Sequence, residues 1–219
     1  MTRLAVFDCD GTLVDGQADI CNTMVLAYER ADIPAPDRND IRRIVGLSLP
    51  VAIRELTPGI SQEDTRQVVE FYKSSYFELR QQGTLREPLY EGIADLLHAL
   101  RDADWHLAVA TGKSDRGLTS VLAAHGLTDL FVSLQTADRH PSKPHPAMLE
   151  AALFEAGAQP AQAVMIGDTS FDIAMARAAN VEAIGVGWGY HETDELIAHG
   201  ADRVAQTVSD LGAMLLAQS

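Results

Sequence analysis

Short apolar, often β-branched runs recur along the chain at 4–7, 106–110, 130–134, 163–166, 181–186 and, more weakly, 203–205, separated by longer stretches of helical spacing. Runs of that length bounded by polar loops predict buried strands, and their alternation with helices predicts βα units around a parallel sheet. Each run but the last is expected to lead through a loop into a helix. The rhythm breaks between the first two runs. Residues 16–83 hold no strand-like run; instead Ile20, Met24, Ala27 and Tyr28, and later Val68, Val69, Tyr72 and Tyr76, recur at helical intervals, with Pro34, Pro36, Pro58 and Gly59 as breaks.

The expected architecture is therefore α/β. A doubly wound, Rossmann-like parallel sheet core comprises residues 1–15 and 84–219, and an all-helical cap, residues 16–83, is inserted into it. Connections near Asp15-Gly16 and at 83–88 would let such a cap swing over the core. At 219 residues and 47% hydrophobic, the chain can bury a full core. Its two cysteines, Cys9 and Cys21, are too few for a disulfide framework and read as structural.

Charge narrows the partners. With 31 acidic against 17 basic residues, the formal charge of −14 repels nucleic-acid backbones and anionic membranes. A small anionic ligand is compatible only where a metal or a placed cation reverses the field locally. The four apolar residues before Asp8 fall short of a signal-peptide core, and no apolar run approaches the roughly 18 residues of a membrane span, so a cytoplasmic protein is expected.

In an open parallel sheet, ligands gather at the carboxyl ends of the strands. Four such ends carry distinctive residues: Asp8-Cys9-Asp10-Gly11-Thr12, Thr111-Gly112, Lys143-Pro144 and Gly167-Asp168-Thr169. Asp8, Asp10 and Asp168, with Asp172 one helical turn further on, cannot all remain ionised at close quarters without a cation. Oxygen-only ligation by few carboxylates points to Mg²⁺ rather than Zn²⁺. Of only three lysines, Lys73, Lys113 and Lys143, two fall in these loops.

The order of these motifs, Asp8-x-Asp10-Gly-Thr, Thr111, Lys143 and Gly167-Asp168-x-x-x-Asp172, with a helical insertion between the first two, resembles the haloacid dehalogenase superfamily along essentially the whole chain. The resemblance implies a phosphatase in which Asp8 is the nucleophile and Asp10 the general acid and base. It further implies that Asp8, Asp10 (through its backbone carbonyl) and Asp168 hold Mg²⁺, that Thr111, Gly112 and Lys143 bind the phosphoryl group, and that Asp172 holds an outer-shell water or orients Lys143.

Within the superfamily, Asp15, Gly46-Leu47-Ser48, Thr111-Gly112-Lys113-Ser114, Ser142-Lys143-Pro144 and Gly187-Trp188-Gly189-Tyr190 most resemble the phosphoglycolate phosphatase group, from which Gly16 departs. The expected partner is a small phosphate ester, 2-phosphoglycolate first. Pyrophosphate or a sugar phosphate follows, then a β-phosphoglucomutase-like isomerisation or a silent binding module. Asp10 argues against dehalogenation, and Lys73 is poorly placed for a phosphonatase Schiff base. Arg42, Arg43 and Arg54, or the Leu47-Ser48 loop, are the candidate readers of the leaving group.

Two lookalikes fail on spacing. Gly112-Lys113-Ser114 lacks the first glycine of a P-loop, since Leu107 stands there, and Tyr190 replaces the last glycine of a dinucleotide fingerprint. The seven histidines form no pair at metal-ligand spacing, although His145 and His191 fall near the loops of the site.

Overall fold

A computed structural model describes residues 2–217. Strand β1 (Arg3–Phe7) is followed by four helices, α1 (Gln17–Arg30), α2 (Arg38–Arg43), α3 (Leu49–Leu56) and α4 (Gln62–Gln81). Then come α5 (Ile93–Asp102), β2 (Trp105–Thr111), α6 (Asp115–Ala124), β3 (Ser133–Thr136), α7 (Ala147–Ala156), β4 (Ala163–Gly167) and α8 (Ser170–Ala178). The chain finishes with β5 (Glu182–Val186), α9 (Thr193–Ala198), β6 (Arg203–Ala205) and α10 (Val208–Leu216). No helix among the described residues is long and apolar enough to cross a membrane.

All strand pairs are parallel, in the order β3-β2-β1-β4-β5-β6. The chain winds outward from β1 first through β2 and β3, then returns to β4 on the other side. The crevice at this reversal opens at the carboxyl end of β1, where doubly wound sheets bind ligands.

Because successive side chains of a strand face opposite ways, β1 serves two cores at once. Ala5 and Phe7 join Leu97, Leu100, Leu107 and Val109 on one face, while Leu4 and Val6 join Met148, Leu149, Met165 and Ile173 on the other. Both faces are buried, which is why β1 reads as a continuous apolar run rather than an alternating one. Helices α1, α3 and α4 pack around a third cluster that includes Met24, Ala27, Tyr28, Ile53, Val68 and Val69. The Tyr28 hydroxyl ties α1 to the end of α3, 2.9 Å from Thr57 Oγ1.

Two details depart from the sequence pattern. The third strand starts at Ser133 rather than at residue 130, because Leu130 closes a short 3₁₀ turn and packs into the core from there. The strand itself buries polar side chains, Ser133, Gln135 and Thr136, and satisfies them through Gln135 Nε2 to Ser133 Oγ at 2.7 Å and Thr136 Oγ1 to Asp115 Oδ1 at 2.6 Å. The last strand also leads into a helix, α10, whose start is fixed by Thr207 and Asp210 bonding each other's backbone N–H. Both cysteines are free and buried.

Leu97 is fully buried under β1. Leu97→Ala is expected to lower the unfolding free energy by about 2–5 kcal/mol, read from urea denaturation; a loss below about 0.5 kcal/mol would mean that the α5 face is not close-packed.

Candidate active site

The hydrogen bond from Asp8 N–H to the Ile166 carbonyl, 2.9 Å, continues the β1–β4 pairing and sets Asp8 at the strand end, fully buried. The chain then turns tightly, with Leu13 N–H returning to the Cys9 carbonyl at 2.8 Å. Gly11 sits in that turn at φ +86°, and a Cβ there would collide with the Asp168 carboxylate. Only glycine lets the loop pass so close to a second acid.

Asp168 follows β4. Its Oδ1 accepts from Thr12 Oγ1 at 2.8 Å and its Oδ2 from Tyr190 N–H at 2.9 Å. Asp172, in the first turn of α8, accepts from the N–H and hydroxyl of Thr169 on Oδ2, at 3.1 and 2.8 Å, and from Lys143 Nζ on Oδ1 at 2.6 Å. Carboxylate oxygens of Asp8, Asp168 and Asp172 all lie within 4.8 Å of one another.

Lys143 is the cation of this cluster. Its Nζ lies 2.9 Å from Asp8 Oδ1 as well as 2.6 Å from Asp172, all three side chains being buried. Neither oxygen of Asp8 accepts a hydrogen bond of good geometry, so among the three acids Asp8 is held by the Lys143 ion pair without a well-aligned donor. Burial pushes the Asp8 carboxyl up to about 7, against the pull of Lys143 and with a further push from Asp172. Burial likewise raises Asp168 well above the ordinary carboxylate range, and Asp172 and Asp8 add to it. Burial opposes the charge on Lys143, yet Asp172 and Asp8 hold its pKa above the ordinary lysine value.

Asp10 stands apart from the three-acid cluster. Both of its oxygens accept from Lys113 Nζ, at 2.7 and 2.9 Å, and Lys113 also pairs with Glu87 at 2.8 Å. Glu87 in turn accepts from Tyr76 Oη at 2.8 Å and Arg80 Nη2 at 2.9 Å on α4. Burial raises the Asp10 carboxyl, with Lys113 countering; burial also works against the Glu87 anion, but Lys113, Tyr76 and Arg80 hold it below its usual range.

Thr111 and Gly112, at the end of β2, line the same cavity as Asp8 and Asp10. The helical segment closes over them, so that a Cβ at Gly112 would meet the carbonyl oxygens of Gly46 and Leu47 at 2.5 and 2.6 Å. Ser48 N–H donates to Ser142 Oγ at 2.8 Å beside this contact. Leu47 and Ser48 thus line the cavity, whereas Arg42, Arg43 and Arg54 do not. Arg42 donates to the Gly189 carbonyl at 3.3 Å, Arg43 pairs with Glu195 at 3.1 Å, and Arg54 is exposed. His145 and His191 also lie outside the lining; His191 is buried, accepting from Ser170 N–H and bonding the Arg43 carbonyl.

In the sequence, Thr12 stands out only as part of the first motif and Lys113 only as a lysine in a strand-end loop that is no P-loop, and neither receives a role there. The two lysines in strand-end loops were the one available signal for Lys113. Nothing in the pattern marks Glu87, whose role depends on α4 and the β2 loop meeting in space.

A parallel sheet with an acid cluster, a buried lysine and a capped cavity at its reversal point defines a hydrolase of the phosphoryl-transfer kind. The family model described as haloacid dehalogenase-like hydrolase matches residues 5–186. The chain is 35% identical over 216 residues to "Probable phosphatase IndB" of Dickeya dadantii, covering 96% of this chain and 92% of that protein. It is 29% identical over 217 residues to a phosphoglycolate phosphatase of Vibrio vulnificus, covering 95% and 94%. A solved structure titled "a predicted phosphatase from Clostridium acetobutylicum" superposes with a TM-score of 0.88 at 26% identity, covering 99% of both chains. The chain belongs to the haloacid dehalogenase-like hydrolase family, and it is a phosphatase.

The raised Asp8 pKa has a stability consequence. The folded state holds this proton more tightly than the unfolded chain, so its contribution is complete below the ordinary carboxyl value of 3.8 and is lost as pH rises to about 7. In EDTA, the thermal midpoint of the wild type is expected to fall more between pH 4 and 8 than that of Asp8→Asn; parallel curves would show that Asp8 does not titrate in this window.

Proposed function

We propose that this phosphatase hydrolyses phosphate monoesters with Mg²⁺ through an aspartyl-phosphate on Asp8. The observation that carries the reading is the Asp8 carboxylate, buried at the cavity with two further acids beside it and only the Lys143 ammonium, shared with Asp172, within reach of its Oδ1. An oxygen-only set of this kind fits Mg²⁺, and oxygens without a well-aligned donor are the kind a divalent ion would satisfy. Asp8, Asp168 and the Asp10 backbone carbonyl would hold it, where it would offset the carboxylate charge and polarise the phosphoryl oxygens.

One Asp8 oxygen attacks phosphorus as the bond to the alcohol oxygen breaks. Asp10 protonates that departing oxygen, then takes a proton from the water that hydrolyses the aspartyl-phosphate. Lys113 orients the Asp10 carboxylate for both transfers. The Thr111 hydroxyl, the Gly112 N–H and Lys143 meet the charge spread over the phosphoryl oxygens, and Asp172 keeps Lys143 pointed at Asp8.

Asp172 is a less apt ligand than Asp168, since its Oδ1 is ion-paired with Lys143 Nζ at 2.6 Å whereas Asp168 accepts only from neutral donors, the Thr12 hydroxyl and the Tyr190 N–H. Its part is to orient Lys143. The name of the Vibrio relative makes 2-phosphoglycolate the reference substrate, with pyrophosphate and sugar phosphates as comparators. No observation favours the mutase or the silent module.

Asp8→Asn is expected to lower kcat about a thousandfold or more on any accepted ester, the scale seen when a covalent nucleophile is removed. Residual activity near the wild-type rate would falsify the nucleophile. Separately, EDTA should abolish turnover and excess Mg²⁺ restore it; turnover that survives chelation would exclude the ion.

A further inference from the structure

The cavity over Asp8 and Asp10 is roomier and more apolar than a two-carbon acid needs. It encloses about 430 Å³, within the roughly 300–1,000 Å³ that receives drug-sized molecules. Its walls include Ile20 and Met24 from α1, Leu49 and Ala52 from α3, and Tyr72 and Tyr76 from α4. The two tyrosine rings stack with centroids 5.6 Å apart and planes 18° from parallel, so α4 carries a flat aromatic pair into the lining. Such a surface favours an aromatic or similarly flat guest through offset stacking and burial.

The cations tell the same story. An acid group attached to the carbon beside the ester oxygen must lie near Asp10, and the ammonium there, Lys113, is already shared between Asp10 and Glu87. Lys113 and Arg80 together only balance Asp10 and Glu87, so the paired cluster leaves no surplus positive charge on that side to draw in a further anion. Arg80 is engaged by Glu87, and the Arg116 guanidinium lies 3.9 Å over the Phe77 ring. Lys73, though part of the lining, is exposed.

Building on the Asp8 reading proposed above, we infer that the preferred alcohol carries an uncharged, flat apolar body, aryl or heteroaryl, seated against Tyr72 and Tyr76, and that a two-carbon acid is the poorer leaving group. The chemical step is unchanged: Asp8 bonds to phosphorus, the bond from phosphorus to the alcohol oxygen breaks, and Asp10 protonates that oxygen.

The test is kcat/KM of the Mg²⁺-loaded protein on 2-phenylethyl phosphate, ethyl phosphate and 2-phosphoglycolate. All three release a primary alkyl alcohol, so the comparison reads the body of the substrate. The phenylethyl ester is expected to exceed both others by about tenfold or more, the scale by which an apolar pocket discriminates. Ala52→Phe, which fills the pocket, and Tyr72→Ala, which removes a ring, should each draw the phenylethyl-to-ethyl ratio toward one. The inference fails if 2-phosphoglycolate equals or exceeds the phenylethyl ester, or if neither variant moves the ratio. Equal hydrolysis of all three esters that still depends on Asp8 overturns only the leaving-group assignment. Activity retained in Asp8→Asn overturns the nucleophile instead, and hydrolysis of none of the three overturns both.

Discussion

The structure depends on keeping like charges together in a place water does not reach. Asp8, Asp168 and Asp172 converge at full burial, and among the described residues one side-chain cation, Lys143, enters the cluster. Isolated ionised groups in such surroundings would neutralise or drive the loops apart. The surrounding sequence answers with fixed donors: Thr12 and the Tyr190 N–H for Asp168, Thr169 for Asp172. Asp8 is the member that keeps only its Lys143 ion pair, and it is the member placed at the cavity.

The fold prepares this arrangement. A strand with both faces buried is held rigid by two cores, so the residue at its tip inherits a defined position. The reversal of strand order beside β1 then leaves a crevice into which the ends of β2 and β4 also deliver their loops. The tight turn through Gly11 and the close pass of Gly112 beneath the Gly46 and Leu47 carbonyls are the local terms of the same design. A side chain at either position would push apart segments that now lie in contact.

Much of this was legible in the chain. Runs such as Leu4 to Phe7 announce themselves because every residue is apolar, and the acids stand out because they follow those runs directly. The third strand was misplaced by hydrophobicity: Leu130 and Phe131 are more apolar than Ser133, Gln135 and Thr136, whose burial rests on side-chain hydrogen bonds that no pattern displays. Arg42, Arg43 and Arg54 drew attention by charge alone. In the folded chain Arg42 and Arg43 serve contacts away from the cavity, while apolar side chains of α1, α3 and α4 form much of its lining. Lys113 and Glu87 escaped because their meaning arises only when positions far apart in sequence meet.

Glu87 occupies the return connection from the helices to the sheet, where Asp15 N–H bonds the Pro88 carbonyl at 2.8 Å and the two crossings run side by side. Its carboxylate is gripped from α4 by Tyr76 and Arg80 and from the β2 loop by Lys113. Lifting α4 would strip away two of those three partners, leaving Glu87 and Asp10 in rivalry for a single ammonium. The packing of α4 is thereby coupled electrically, through Glu87 and Lys113, to Asp10, the acid to which the proposed mechanism assigns the proton transfers.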